Sequence, residues 1–83
     1  MQVTVKYFAS IREAIGTGSE TLDTQAPTLG ALRDELRARG GAHAEALARS
    51  RAVRLALNQV MADESSPLAT GAEVAFFPPV TGG

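Results

Sequence analysis

The chain closes on Val74-Ala75-Phe76-Phe77-Pro78-Pro79-Val80-Thr81-Gly82-Gly83, and this stretch constrains the rest of the fold more than any other. Val74 to Phe77 are apolar and β-prone, which suits a short buried strand. Pro78 removes a ladder donor and Pro79 extends the stop, so pairing ends at Phe77. The residue before a proline is pushed toward extended geometry, and the chain therefore leaves the sheet straight. Fully extended, Pro78 to Gly83 spans about 20 Å. Gly82 and Gly83 form a tip without side chains, able to enter a slot closed to other residues and to carry the terminal carboxyl to its far end. A closing Gly-Gly is in itself ordinary material for a frayed terminus. Coupled to an apolar strand and a proline stop, it divides the chain into a body, residues 1–77, and an extended tail, residues 78–83.

A strand that apolar needs partners on both sides. From Gln2 to Phe8 the sequence alternates, with Val3, Val5 and Tyr7 on one face, and predicts a half-buried strand with Phe8 out of step. Ser10 and Glu13 have capping-box spacing and open a short helix, Ile11 to Ile15, closed by Gly16. Glu20 to Thr24 makes a second strand, antiparallel to the first because the connection is short. Thr28 caps the main helix, whose Leu29, Leu32 and Leu36 form one apolar stripe. Arg33, Asp34, Glu35, Arg37 and Arg39 take the rest of its surface, and Gly40-Gly41 ends it. Ala42 to Arg49 makes another short helix anchored by Leu47. Val53, Leu55 and Leu57 mark a third strand, turned by Asn58-Gln59 into a brief one at Val60-Met61. Pro67-Leu68 starts a single turn, and the last strand follows from Glu73.

One useful helix across a small mixed sheet gives an α+β two-layer domain. The first and last strands are the most apolar, so both belong near the middle, side by side and parallel. That is the β-grasp, or ubiquitin-like, arrangement. At 83 residues the domain is single and buries about 60% of its unfolded surface.

Composition narrows the chemistry. There is no cysteine, which excludes thiolate nucleophiles, zinc–thiolate sites and iron–sulfur ligation, and fits a reducing compartment. A net charge of −1 argues against nucleic acid or an anionic membrane as partner. With no signal-like or membrane-spanning segment, the expectation is a soluble, cytoplasmic protein. His43, the only histidine, has no carboxylate or serine beside it in sequence and reads as a surface residue. Asp34-Glu35 and Asp63-Glu64 are solvated pairs, and neither Gly16-Thr17-Gly18 nor Gly40-Gly41 has phosphate-loop spacing. The body offers no active site and no metal site.

It does offer a surface. If Val74 and Phe76 face the core, Phe77 turns outward where the tail departs, with Met61 and Phe8 as candidate neighbours. Cover of Phe77 by the helix or a loop stands as the alternative.

Tyr7-Phe8-Ala9, Ile11-Arg12-Glu13, Pro27-Thr28, Leu32-Arg33, Asn58-Gln59, Pro67-Leu68, Gly71 and the run Glu73 to Gly83 together resemble the small subunits of molybdopterin synthase, a family of ubiquitin-like sulfur carriers. The run Phe-Phe-Pro-Pro-Val-Thr-Gly-Gly is the most specific part. The resemblance implies that a ubiquitin-activating-type adenylyltransferase uses ATP to convert the Gly83 carboxyl into a transient glycyl adenylate. A sulfur donor protein then displaces AMP to leave a C-terminal 1-thioglycine, a thiocarboxylate whose sulfur is the nucleophile this chain otherwise lacks. It implies further that the tail, Pro78, Pro79, Val80, Thr81 and Gly82, inserts into the large subunit of a two-plus-two heterotetramer. There the thiocarboxylate delivers sulfur to cyclic pyranopterin monophosphate to build the molybdopterin dithiolene, with acid–base residues on the large subunit. No cofactor is bound permanently. Phe77, Met61, Phe8 and Arg12 match positions facing the large subunit.

Three other readings remain open: a sulfur carrier for thiamine biosynthesis or tRNA thiolation, a ubiquitin-like modifier joined to target lysines through Gly83, and a binding module whose tail does no chemistry. The Phe-Phe-Pro-Pro-Val-Thr run weighs against the first. A sole lysine, Lys6, leaves the second little scope for chains built on itself.

Overall fold

A computed structural model describes residues 1–79. The elements run β1 (Gln2–Tyr7), α1 (Ala9–Ile15), β2 (Ser19–Asp23), α2 (Leu29–Arg37), α3 (Gly41–Ala46), β3 (Arg54–Leu57), β4 (Val60–Ala62) and β5 (Glu73–Phe77). The strands form one sheet in the order β2-β1-β5-β3-β4. β1 and β5 are parallel, pairing Val5 with Val74 and Tyr7 with Phe76, and every other pairing is antiparallel. This is the expected β-grasp sheet, with the last strand at its centre.

Alternation explains the layers. Val3, Val5, Tyr7, Leu55, Val74 and Phe76 project from one face of the sheet onto Leu29, Leu32 and Leu36 of α2, with Ile11 and Leu47 closing the sides. Tyr7 and Phe76 stack with ring centroids 6.2 Å apart. Thr28 caps α2 as expected, its Oγ1 accepting the Ala31 N–H at 3.2 Å.

Four expectations are corrected. Ser10 caps nothing: α1 begins at Ala9, with Phe8 in extended geometry at its N-cap and no side-chain cap. The β1–β5 ladder sets that start, because the Phe8 N–H still donates to the Phe76 carbonyl at 3.1 Å while the Phe8 carbonyl already accepts from Ile11 and Arg12. Second, α2 stops at Arg37, and Gly40 with φ +76° instead opens α3. Third, Pro67-Leu68 makes no turn. Pro67 bridges Thr28, and the segment before it supplies carbonyls to α2, Ser66 to the Leu29 N–H and Glu64 to the Gly30 N–H. Those are helix N–H groups without intrahelical partners. A side chain at Gly30 would meet Glu64 at 3.0 Å, so glycine is what permits this close approach.

The fourth correction concerns Arg33, which is buried rather than on the helix surface. Residue 33 lies four positions after Leu29 and three before Leu36, on the flank of the apolar stripe. Its guanidinium donates to the carbonyls of Leu47 at 2.8 Å and Ala48 at 2.7 Å, and pairs with Glu64 at 3.3 Å. These are carbonyls at the end of α3, which is too short to satisfy them itself. Arg33→Ala leaves the buried Leu47 carbonyl without its donor, while Ala48 keeps the Arg51 N–H and Glu64 keeps Arg49. It should lower the unfolding free energy by about 2–3 kcal/mol, read as a lower urea midpoint at unchanged slope.

Candidate functional site

The outer face of the sheet carries the site. With Val74 and Phe76 fully buried, Ala75 and Phe77 point to the opposite face. Strand register lays Lys6, Ala75, Ala56 and Met61 in one row across four strands, and sets Arg54 beside Phe77. Ala75 and Ala56 are small, so the sheet dips between larger neighbours. The result is a groove of about 650 Å³ floored by Ala56 and Ala75, walled by Phe8 and Phe77, and ending at Pro78 and Pro79. Gln59 and Glu73 are its polar edge. Glu73 is tied to Lys6 at 3.6 Å, so the one lysine of the chain sits in an ion pair at this rim.

The site residues named from the sequence fall in different places. Phe8 is an exposed wall of the groove at 46% of its free surface, and Phe77 is half-buried there rather than fully exposed. Met61 is 59% exposed on the same face, but it opens onto a neighbouring hollow with Arg54, Asp63 and Glu64. Arg12 does not line the groove. Its side chain lies over Gly18, where a Cβ would meet Nε at 3.1 Å. Pro78 and Pro79 follow β5 outside any strand or helix, whereas Val80, Thr81, Gly82 and Gly83 lie outside the described residues. Ala56, Ala75 and Gln59 join the groove without being among the site residues expected from the sequence. Alternation marks both alanines as candidates for the outer face, but only the register of β3 on β5 makes them neighbours.

A β-grasp body whose sequence ends in Gly-Gly, with an apolar groove running to the root of its tail, has the form of a ubiquitin-like carrier. The chain belongs to the ThiS family, whose model matches residues 5–83, and within it to the molybdopterin synthase sulfur carrier subunits. The Escherichia coli molybdopterin synthase sulfur carrier subunit is 41% identical over 81 residues, 98% of this chain and 99% of that protein. Among solved structures, SAMP1 from Haloferax volcanii superposes with a TM-score of 0.78 at 29% identity, covering 100% of each chain. A chain from the complex of subunits 1 and 2 of molybdopterin-converting factor from Helicobacter pylori gives a TM-score of 0.68 at 27% identity, again covering 100% of each.

The remaining polar cluster lies on the other side of β1 and is structural. His43, expected on the surface, is half-buried, edge-on to Tyr7 with ring centroids 6.0 Å apart. The carboxylate it lacked in sequence is supplied in space by Glu20, 3.6 Å from its Nε2. Glu20 accepts from the Tyr7 hydroxyl at 2.8 Å and from Arg39 at 2.8 and 3.0 Å. Burial and the Glu20 hydrogen bond both push the Tyr7 phenol well above its ordinary range. Burial also pushes Glu20 up, but its hydrogen bonds from Tyr7 and Arg39 outweigh that and hold it below the usual carboxylate range. Through these contacts the cluster ties β1 and β2 to the start of α3.

A carboxylate with a depressed folded-state pKa contributes stability above its unfolded value of about 4.3, and that contribution disappears as pH falls through the folded value. Glu20→Gln should therefore lower stability at pH 7 and flatten its decline between about pH 5 and pH 3. Urea midpoints across that range, for both proteins, check it.

Proposed function

We propose that the chain is the sulfur carrier of a molybdopterin synthase, acting through a thiocarboxylate at Gly83. The observation that carries this reading is the coincidence of the groove and the tail root. The same few residues, Phe8, Phe77, Pro78 and Pro79, form an apolar docking wall and the point where residues 80–83 depart. A partner seated on Phe8 and Phe77 would hold the tail's origin fixed relative to its own active site, and positioning of that kind is worth several orders of magnitude in rate.

The chemistry divides accordingly. A carboxylate is a poor electrophile. Adenylation of Gly83 by an ATP-dependent activating enzyme, with loss of pyrophosphate, creates a leaving group, and sulfide-level sulfur delivered by a sulfur donor protein then displaces AMP to give the thiocarboxylate. Its sulfur bonds to an electrophilic carbon of cyclic pyranopterin monophosphate held by the large subunit, an oxygen substituent of that carbon leaves, and hydrolysis of the acyl–sulfur bond leaves the sulfur on the pterin and returns the Gly83 carboxylate. A dithiolene needs two sulfurs, so two charged tails are consumed per product. Pro78, Pro79, Val80, Thr81 and Gly82 thread the tail, and Phe77, Met61 and Phe8 make the interface. Arg12 joins it only if the large subunit reaches around to the Gly18 turn, since the groove itself excludes Arg12. The chain is thus the dependent subunit of a cytoplasmic sulfurtransferase, with acid–base groups on its partner. The Helicobacter pylori relative, solved as a complex of subunits 1 and 2, supports such pairing.

The likeness to SAMP1 favours a second reading, a modifier joined to lysines through Gly83. The two separate in one reconstitution. The protein is converted to its C-terminal thiocarboxylate and mixed with the large subunit and cyclic pyranopterin monophosphate, with a Gly83-deleted control. Molybdopterin from the full-length protein alone is the expected result. A stable thiocarboxylate that yields no product with an otherwise active large subunit would overturn the synthase reading. Phe77→Asp should abolish co-purification with the large subunit while leaving the chain folded by circular dichroism.

A further inference from the structure

Asn58 and Gln59 close the β3–β4 hairpin with both residues in the left-handed region, at φ +51° and +68°. Asparagine suits the first position of such a turn. The second is ordinarily glycine, because a side chain there crowds the backbone. This turn keeps a long side chain instead, and it is held in place from outside. Asn58 Oδ1 accepts the Glu73 N–H at 2.9 Å, and the Asn58 N–H donates to the Glu73 carbonyl at 2.8 Å. The hairpin is thereby pinned to the first residue of β5, and Gln59 stands at the edge of the groove. Strain that the surroundings over-determine at one exposed residue points to a use for that side chain.

The groove says what the use is. Its other polar edge residue, Glu73, already pairs with Lys6. The Gln59 amide has no hydrogen-bond partner among the described residues. When a partner covers the apolar floor, that amide is the side chain at the groove's edge still without a partner. We propose that Gln59 is a specificity-determining residue of the docking face, its amide pairing with a main-chain peptide group of the large subunit. The inference rests on the docking reading above. A primary amide offers donors and an acceptor together, and a neutral peptide group matches both. A carboxylate or an ammonium matches only one half and brings a charge into apolar surroundings. A surface without such a group covers the Gln59 amide unpaired and loses affinity, which discriminates the cognate partner from any merely apolar one.

The test is calorimetric titration of the full chain into its cognate large subunit, with a thermal melt of each free variant. Gln59→Gly relieves the backbone, so the free chain should melt higher while Kd weakens about tenfold. Gln59→Leu keeps the side-chain bulk and the left-handed backbone. It should weaken Kd similarly with no gain in melting temperature. Unchanged Kd in both variants, with Phe77→Asp still abolishing association, overturns the inference and leaves the docking reading standing. Weakening by Leu but not by Gly makes the residue a steric matter and also overturns it. Unchanged Kd for Phe77→Asp removes the docking reading, and the inference with it.

Discussion

The parallel ladder between β1 and β5 is the constraint on which the rest of the structure depends. It sets Tyr7 beside Phe76 in the core, and on the opposite face it sets Lys6 beside Ala75. It also decides where helix α1 begins, since the Phe8 backbone is still bonded to Phe76 when the helix takes over. One consequence reaches the tail. Pro78 lies two residues beyond a fully buried Phe76, so the departure point is fixed by core packing rather than by loop geometry. A rigid root is what a carrier needs if its reactive end is to arrive at one place in a partner.

Much of this was legible in the sequence because it follows from periods. Alternation over Gln2 to Tyr7 and the apolar run Val74 to Phe77 with its proline stop placed both central strands, and the Leu29, Leu32 and Leu36 spacing placed α2 against them. Local signals fared less evenly. Thr28 and Gly16 cap as their chemistry suggests, whereas Ser10 does not, because the tertiary ladder hands over to the helix at Phe8, two residues before the capping signal. Arg33 and His43 were misplaced for a related reason. Charge and polarity mark a surface position only when no buried acceptor is waiting, and the carbonyls of Leu47 and Ala48, like the Glu20 carboxylate, come from elements distant in sequence.

The candidate site was legible in part. Phe8 and Phe77 could be named from hydropathy and the proline stop. The groove between them could not, since it arises from two alanines that become neighbours only through the β3–β5 register. Arg12 shows the opposite limit: a residue assigned by resemblance alone lies over Gly18 rather than on the groove. The strain at Gln59 is also invisible in sequence, where Asn-Gln reads simply as a turn.

The shape of the face fits the task proposed for it. A carrier that is charged by one protein and discharged by another must let go of each, so a deep cavity or an extensive apolar interface would work against turnover. A shallow groove with one aromatic half-buried and one exposed supplies an anchor of modest size. Selectivity then has to come from something other than area. On the inference above, a single amide at the edge provides it: water satisfies the Gln59 amide in the free state, whereas in a wrong complex nothing does. The turn that carries that amide is pinned to Glu73 by Asn58, which fixes the Gln59 backbone at the groove edge. On the proposed reading three duties are physically separate: a packed ladder that aims, a groove that holds, and a tail that reacts.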